Sequence, residues 1–225
     1  MKKLGYAVLI FVVMLASSCT KEKNAAPKSF QYEYYPLAKT KVWVYDVDST
    51  HIDKFNNSRV TNFKFQIKDS IADFFIGLSG DTIFRVERYK KQNNSNIWVF
   101  QKSIARSKSI RAAEETLDNQ TFVRLIFPPE FGAQWNGNSR NNIGEQSYTI
   151  TDFEVAKEVN GINYPTTLSI TQIDVNNLIE EDFATETYAK DIGLIYKEVK
   201  NIEKDISSGR ILDGFIYSFK LRANN

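Results

Sequence analysis

The chain holds one cysteine and one histidine, and their settings limit its chemistry at once. Cys19 ends the run Ala16-Ser17-Ser18-Cys19, and His51 ends Asp48-Ser49-Thr50-His51. One cysteine excludes an intramolecular disulfide, and one cysteine with one histidine excludes a Cys/His zinc site. A catalytic histidine needs a nucleophile and an orienting acid beside it. Gly77-Leu78-Ser79-Gly80 lacks the spacing of a nucleophile elbow, so His51 reads as a surface loop residue. Asp46-Val47-Asp48 does not open an EF-hand loop, because the sixth and twelfth positions hold His51 and Asn57 rather than Gly and Glu. Neither glycine-rich phosphate motif occurs. Glu114-Glu115, Glu154 with Glu158, and Glu180-Glu181-Asp182 offer the two acids that glycoside hydrolysis requires. Solvated turns and strand edges account for them more simply. No catalytic residue, metal or cofactor is expected, and the chain reads as non-enzymatic.

Two constellations suit binding instead. In Trp135-Asn136-Gly137-Asn138, Asn-Gly marks a tight turn, and a tryptophan beside amides can stack on a sugar face while the amides bond its hydroxyls. Trp135, Asn136 and Asn138 are therefore candidate ligand contacts. The competing reading has Trp135 plugging the end of a sheet while the amides shape the loop. Tyr32, Tyr34, Tyr35, Trp43 and Tyr45 can line an apolar cavity, or pair across strands as core.

The elements that must position these residues have a two-residue period. Phe30, Tyr32 and Tyr34 alternate with Gln31 and Glu33, and Phe63, Phe65 and Ile67 alternate with Lys64 and Gln66. Similar strand patterns cover 41–47, 82–89, 97–104, 121–127, 148–159, 162–175, 183–189, 193–199 and 214–221. Asn160-Gly161 is the clearest hairpin turn, since both positions accept positive φ. Pro128-Pro129-Glu130 suits a short helical turn, and no long amphipathic helix with caps is present. The expectation is an all-β, mainly antiparallel fold of about ten strands: a curled open barrel, a closed barrel or a sandwich.

Before this body the chain reads Met1-Lys2-Lys3, then an apolar run from Leu4 to Ala16. That order suits a secretory signal. The run is too short for a membrane-spanning helix, which needs about 20 apolar residues. Ala16-Ser17-Ser18-Cys19 resembles a bacterial lipobox, which implies that Cys19 is lipidated and becomes the first mature residue. Ala16 departs from the pattern, which more often has Leu there. Acyl chains on Cys19 would anchor the protein, each buried CH₂ contributing about 0.8 kcal/mol. The expected organisation is a signal peptide over 1–18, a polar tether over 19–29, and a single β domain over 30–225. The tether spans at most about 35 Å when extended. Lys2 and Lys3 leave with the signal, so the 29 basic residues fall to 27 and equal the 27 acidic ones. A neutral chain offers no electrostatic case for nucleic acid.

Three further segments carry a resemblance. Tyr35-Pro36-Leu37 leading to Trp43-Val44-Tyr45, Trp135-Asn136-Gly137-Asn138, and Tyr188-Ala189-Lys190-Asp191-Ile192-Gly193-Leu194-Ile195-Tyr196 resemble uncharacterised lipoproteins of Bacteroidota-type bacteria. The resemblance implies a β-rich, non-catalytic protein of the outer membrane, held through lipid on Cys19, with an envelope protein complex as a candidate partner. It carries no catalytic residue over. Asp48-Ser49-Thr50, Asp69-Ser70-Ile71 and Asp81-Thr82-Ile83 resemble the short O-glycosylation motif of the same bacteria, making Ser49, Ser70 and Thr82 candidate acceptors. Turn residues that start strands explain the motif as well. The expected function is binding of a partner or ligand at the surface. The alternatives are carriage or sensing of an apolar molecule inside a curled sheet, and carbohydrate binding or processing.

Overall fold

The computed structural model describes residues 29–55, 59–78 and 80–224. The signal peptide, Cys19 and nearly all of the tether lie outside the described residues. Twelve strands form one antiparallel sheet: β1 (Val42–Ile52), β2 (Val60–Ile76), β3 (Thr82–Gln92), β4 (Val99–Lys108), β5 (Ala112–Leu117), β6 (Gln120–Ile126), β7 (Gln134–Asn136), β8 (Ser147–Val159), β9 (Ile162–Asn176), β10 (Glu180–Ala189), β11 (Gly193–Lys204) and β12 (Ile211–Asn224). Their order is β6-β5-β4-β3-β2-β1-β12-β11-β10-β9-β8-β7. Two meanders thus meet where β1 pairs with β12, and the sheet curls into a nearly closed barrel.

Alternation explains which face is inside. On β1, Trp43, Tyr45 and Val47 are buried, whereas Val44, Asp46 and Asp48 are partly exposed. Each large apolar side chain buried in this way contributes about 1.5–3 kcal/mol. The outer face around β1 is polar: Lys64 and Lys220 lie 3.4 and 3.7 Å from Asp48, and Arg222 lies 3.3 Å from Asp46.

Asn160 (φ 56°) and Gly161 (φ 78°) both adopt positive φ, forming the expected hairpin turn. Four regions differ from expectation. Phe30 to Tyr34 is not a strand. Gln31 takes a left-handed conformation (φ 55°), and Tyr32–Tyr34 form a 3-10 turn. The strands β5 and β7 are additional. No helical turn starts at Pro128, where the chain only bends.

The 31–37 segment stoppers one end of the barrel. Lys108 Nζ donates to the carbonyls of Tyr32 and Tyr35, at 3.2 and 3.1 Å, and the Asp191 amide donates to the Glu33 carbonyl at 2.8 Å. Tyr34 and Tyr35 join a core cluster with Leu125, Phe127, Tyr148, Ile150, Leu168 and Tyr188. The β1–β2, β3–β4, β9–β10 and β11–β12 turns lie at the other, unstoppered end.

Candidate functional site

Between the stopper and the open end, charged side chains occupy interior positions that alternation elsewhere gives to apolar ones. Asp69 on β2 is fully buried. It accepts hydrogen bonds from Arg88 on β3, from Nε at 2.7 Å and Nη2 at 2.8 Å, and from Arg106 Nη2 on β4 at 2.7 Å. Arg106 Nε also donates to Glu115 on β5 at 2.8 Å, and Arg124 Nη2 on β6 donates to the other Glu115 oxygen at 3.0 Å. Arg124 Nη1 reaches across the interior to lie 3.5 Å from Glu186 on β10. Lys197 Nζ on β11 and Tyr188 Oη donate to Glu186 at 2.8 and 2.6 Å. The seven charges therefore alternate in one chain, Arg88–Asp69–Arg106–Glu115–Arg124–Glu186–Lys197, with a cation at each end.

Burial opposes ionisation of all three carboxyls, but the facing cations outweigh it. Arg88 and Arg106 hold Asp69 below its ordinary value. Arg106 and Arg124 hold Glu115 well below its own. Lys197 and Arg124 bring Glu186 down to about 2. A glycosidase acid must keep its proton near neutral pH. Glu115 and Glu186, the two carboxylates lining the interior cavity, are instead held ionised. Of the other acids considered from sequence, Glu114 faces Arg140 at 3.3 Å. Glu181 faces Lys200 at 3.3 Å.

The cavity itself measures about 110 Å³ and is lined by Trp43, Tyr45, Tyr217 and Phe219 together with every member of the charge chain except Asp69. One water needs about 10–15 Å³ of such space, so this one accommodates several waters or the head of an organic ligand. It is smaller than the roughly 300 Å³ that encloses a whole apolar ligand. Of the aromatic residues singled out from sequence, Tyr35, Trp43 and Tyr45 line it. Tyr34 is packed in the stopper, and Tyr32 packs beside it.

From this cavity an aromatic strip runs toward the open end along the concave face. The Tyr45–Phe219 and Tyr217–Phe219 ring centroids are 5.8 Å apart, and Phe215 stacks on Tyr217 at 5.9 Å. The register sets Val47 between Phe65 and Phe219, and Ser49 between Phe63 and Tyr217. Phe63 is 47% exposed, and the β12 rings are partly exposed. His51 is exposed as expected, but it sits on β1 with its ring edge-on to Phe63 at 5.6 Å, not in a loop.

Trp135, Asn136 and Asn138 lie at the seam between β6 and β7. Trp135 Nε1 donates to the Val123 carbonyl at 2.8 Å, and the Val123 amide donates to Gly137 O at 2.9 Å. Asn136 Oδ1 accepts from the amides of Asn138 and Gln146, at 2.9 and 3.1 Å. Asn141 Nδ2 donates to Thr121 O at 2.9 Å and to Asn138 Oδ1 at 3.3 Å. These groups clasp the two edges of the sheet together. Among the candidate glycosylation residues, Ser49 lies in the concave aromatic strip, Ser70 pairs with Val42 and Glu87, and Thr82 pairs with Ile76 at the base of the β2–β3 hairpin turn.

The charge chain was missed from sequence, although Asp69 fell within a candidate glycosylation motif. Its signal was available: Ile104-Ala105-Arg106, Ala113-Glu114-Glu115 and Ala184-Thr185-Glu186 each place a charge in register with an inward apolar residue.

No family model matches the chain, and no curated protein matches its sequence. Among solved structures, one described as an exported protein with a YmcC-like fold from Bacteroides fragilis aligns with a TM-score of 0.43 at 9% identity, over 84% of this chain and 97% of that one. One described as a lipoprotein from Parabacteroides distasonis aligns with the same score and identity, over 85% and 98%. A DUF1329 family protein from Desulfovibrio piger aligns with a TM-score of 0.22 at 10% identity, over 87% and 88%. At these scores the likeness supplies neither a family nor a function, and the site speaks only through its own geometry.

Proposed function

We propose that this chain is a lipid-anchored protein of the bacterial outer membrane that acts by binding, without catalysis, and that its ligand lies along the concave face at the unstoppered end. The observation that carries this reading is the aromatic strip Phe63, Phe65, Phe215, Tyr217 and Phe219, left partly exposed and continuous with an interior cavity. Apolar surface left together on one face marks a binding site. The strip suits the apolar body of a ligand, while the charged cavity suits a polar head.

The position of the tether supports an orientation. The chain enters at the stoppered end; exposed apolar side chains occur at both ends, Phe74, Phe75 and Ile110 at this one and Phe55, Ile97, Leu178 and Ile206 at the other. With Cys19 anchored, the tether keeps this end within about 35 Å of the bilayer. We read it as the membrane-facing end, with the aromatic mouth turned away.

Anchoring is tested with globomycin, which should leave an unprocessed precursor; normal processing in its presence refutes it. Binding is tested by titrating the purified lipoprotein with Nile red, a neutral apolar dye. Phe63→Ser combined with Tyr217→Ser should abolish the protein-dependent fluorescence while the thermal transition persists. Unchanged fluorescence in the folded double variant would remove the concave face as the site.

A further inference from the structure

We infer that the ligand is an amphiphilic monocarboxylate, its carboxylate held by Arg88 and Lys197 and its apolar body lying over Phe219, Tyr217 and Phe63. This deepens the binding reading above and rests on it.

The first argument is charge. The interior chain counts four cations, Arg88, Arg106, Arg124 and Lys197, against three carboxylates, Asp69, Glu115 and Glu186. Charge taken out of water is stabilised only when it is paired. One further negative charge brings this buried chain to neutrality, and Lys90, on the same face of β3 with its Nζ 3.9 Å from the centre of the Phe65 ring, adds a further cation at the mouth.

The second argument is where the two ends of the chain meet. Lys197 lies directly opposite Phe219 in the β11–β12 register. The Arg88 guanidinium carbon lies 5.8 Å from the centre of the same ring. Both terminal cations line the cavity, and so does Phe219. They reach that ring from opposite directions, one from β3 and one from β11.

The third argument is the supply of donors. Arg88 commits Nε and Nη2 to Asp69, and among the described residues its Nη1 makes no hydrogen bond. Lys197 gives one of its three N–H groups to Glu186 and makes no other hydrogen bond among them. A carboxylate has two oxygens, each able to accept from one of these cations. An amine would meet two like charges, and an alcohol would leave the excess charge uncompensated. The cavity fits a head group rather than a whole ligand, and its aromatic wall at Tyr217 continues into the exposed strip.

The experiment compares three soluble probes of one shape, 4-phenylbutyrate, 4-phenylbutanol and 4-phenylbutylamine. Each is titrated calorimetrically at pH 7 into the full lipoprotein in nanodiscs, with empty nanodiscs subtracted. The acid should bind at least about tenfold more tightly than the alcohol, as a charge-assisted contact implies. The amine should bind more weakly than either. Lys197→Gln should erase the preference for acid over alcohol, and Lys197→Arg should keep it, with thermal unfolding confirming that both variants are folded. Equal affinity for acid and alcohol in the wild type overturns the carboxylate while leaving the concave face as a binding site. A preference that survives in Lys197→Gln overturns the placement at Lys197. Binding of none of the probes overturns this inference and the binding reading together.

Discussion

Removing one carboxylate from the middle of the buried charge chain should cost more than removing a cation from its end. Glu115 is bracketed by Arg106 at 2.8 Å and Arg124 at 3.0 Å, and all three side chains are largely buried. Glu115→Gln keeps the size but deletes the charge, and its amide nitrogen turns N–H groups toward one of two guanidiniums. The interior excess rises from one positive charge to two. Breaking a buried ion pair from one side costs about 3–5 kcal/mol. With a urea dependence of roughly 2 kcal/mol per molar, the unfolding midpoint should fall by about 2 M. Lys197→Gln takes the excess to zero instead, and Glu186 keeps the Tyr188 hydroxyl and Arg124 beside it. Its cost should be less than half that of Glu115→Gln. The assay is equilibrium urea unfolding at pH 7, followed by the fluorescence of Trp43, Trp98 and Trp135. A Glu115→Gln cost below about 1 kcal/mol would show that the interior is well solvated. Equal costs for the two variants would show that the alternating order carries no energetic meaning.

Three other outcomes are expected. Glu186 is brought to about 2 in the folded protein against an ordinary value near 4.5, so its stabilisation is complete above pH 4.5 and is lost as pH falls toward 2. That amounts to about 3 kcal/mol from this group. Asp69 and Glu115 act in the same direction, so calorimetric melting temperatures should drop steeply between pH 4.5 and 2. The Tyr34 hydroxyl is buried without a hydrogen-bond partner among the described residues, and burial pushes its pKa up to about 12. Tyr34→Phe should therefore be neutral or stabilising by up to about 1 kcal/mol in urea melts, and a loss of more than that would reveal a partner. At the seam, a Cβ on Gly137 would overlap the Tyr148 ring. Gly137→Ala should cost about 1–3 kcal/mol and speed hydrogen exchange at the Val123 amide, which donates to Gly137 O; unchanged exchange would mean that the clasp does not hold the edge.

The strands were legible wherever inward positions are apolar and outward ones polar, as in β1, β2 and β12. Legibility failed where the barrel departs from that rule. The strand β5 reads Ala-Ala-Glu-Glu-Thr-Leu, and one of its inward positions is Glu115, so its alternation is invisible to a hydrophobic pattern. The charge chain has the same cause: its members are far apart in sequence and meet only because the sheet curls. Phe30, Tyr32 and Tyr34 alternate as a strand would, yet a left-handed Gln31 breaks the run, so that Tyr34 is buried in the stopper, Tyr32 packs beside it and Phe30 stays half-exposed. Trp135-Asn136-Gly137-Asn138 was recognisable as a tight turn. Its bonding to β6 was not, because closure of the seam depends on curvature that no local pattern encodes.

The stopper has a mechanical consequence. Residues 29 and 30 lead directly into the segment that fills the barrel end. Lys108, on one meander, grips that segment through the carbonyls of Tyr32 and Tyr35, while the turn after β10, on the other meander, grips it through Glu33. Under the anchoring proposed above, tension along the tether would divide between both halves of the sheet. It would draw the two meanders toward a common point rather than peel away a single edge strand, so the proposed attachment would also load the seam closed.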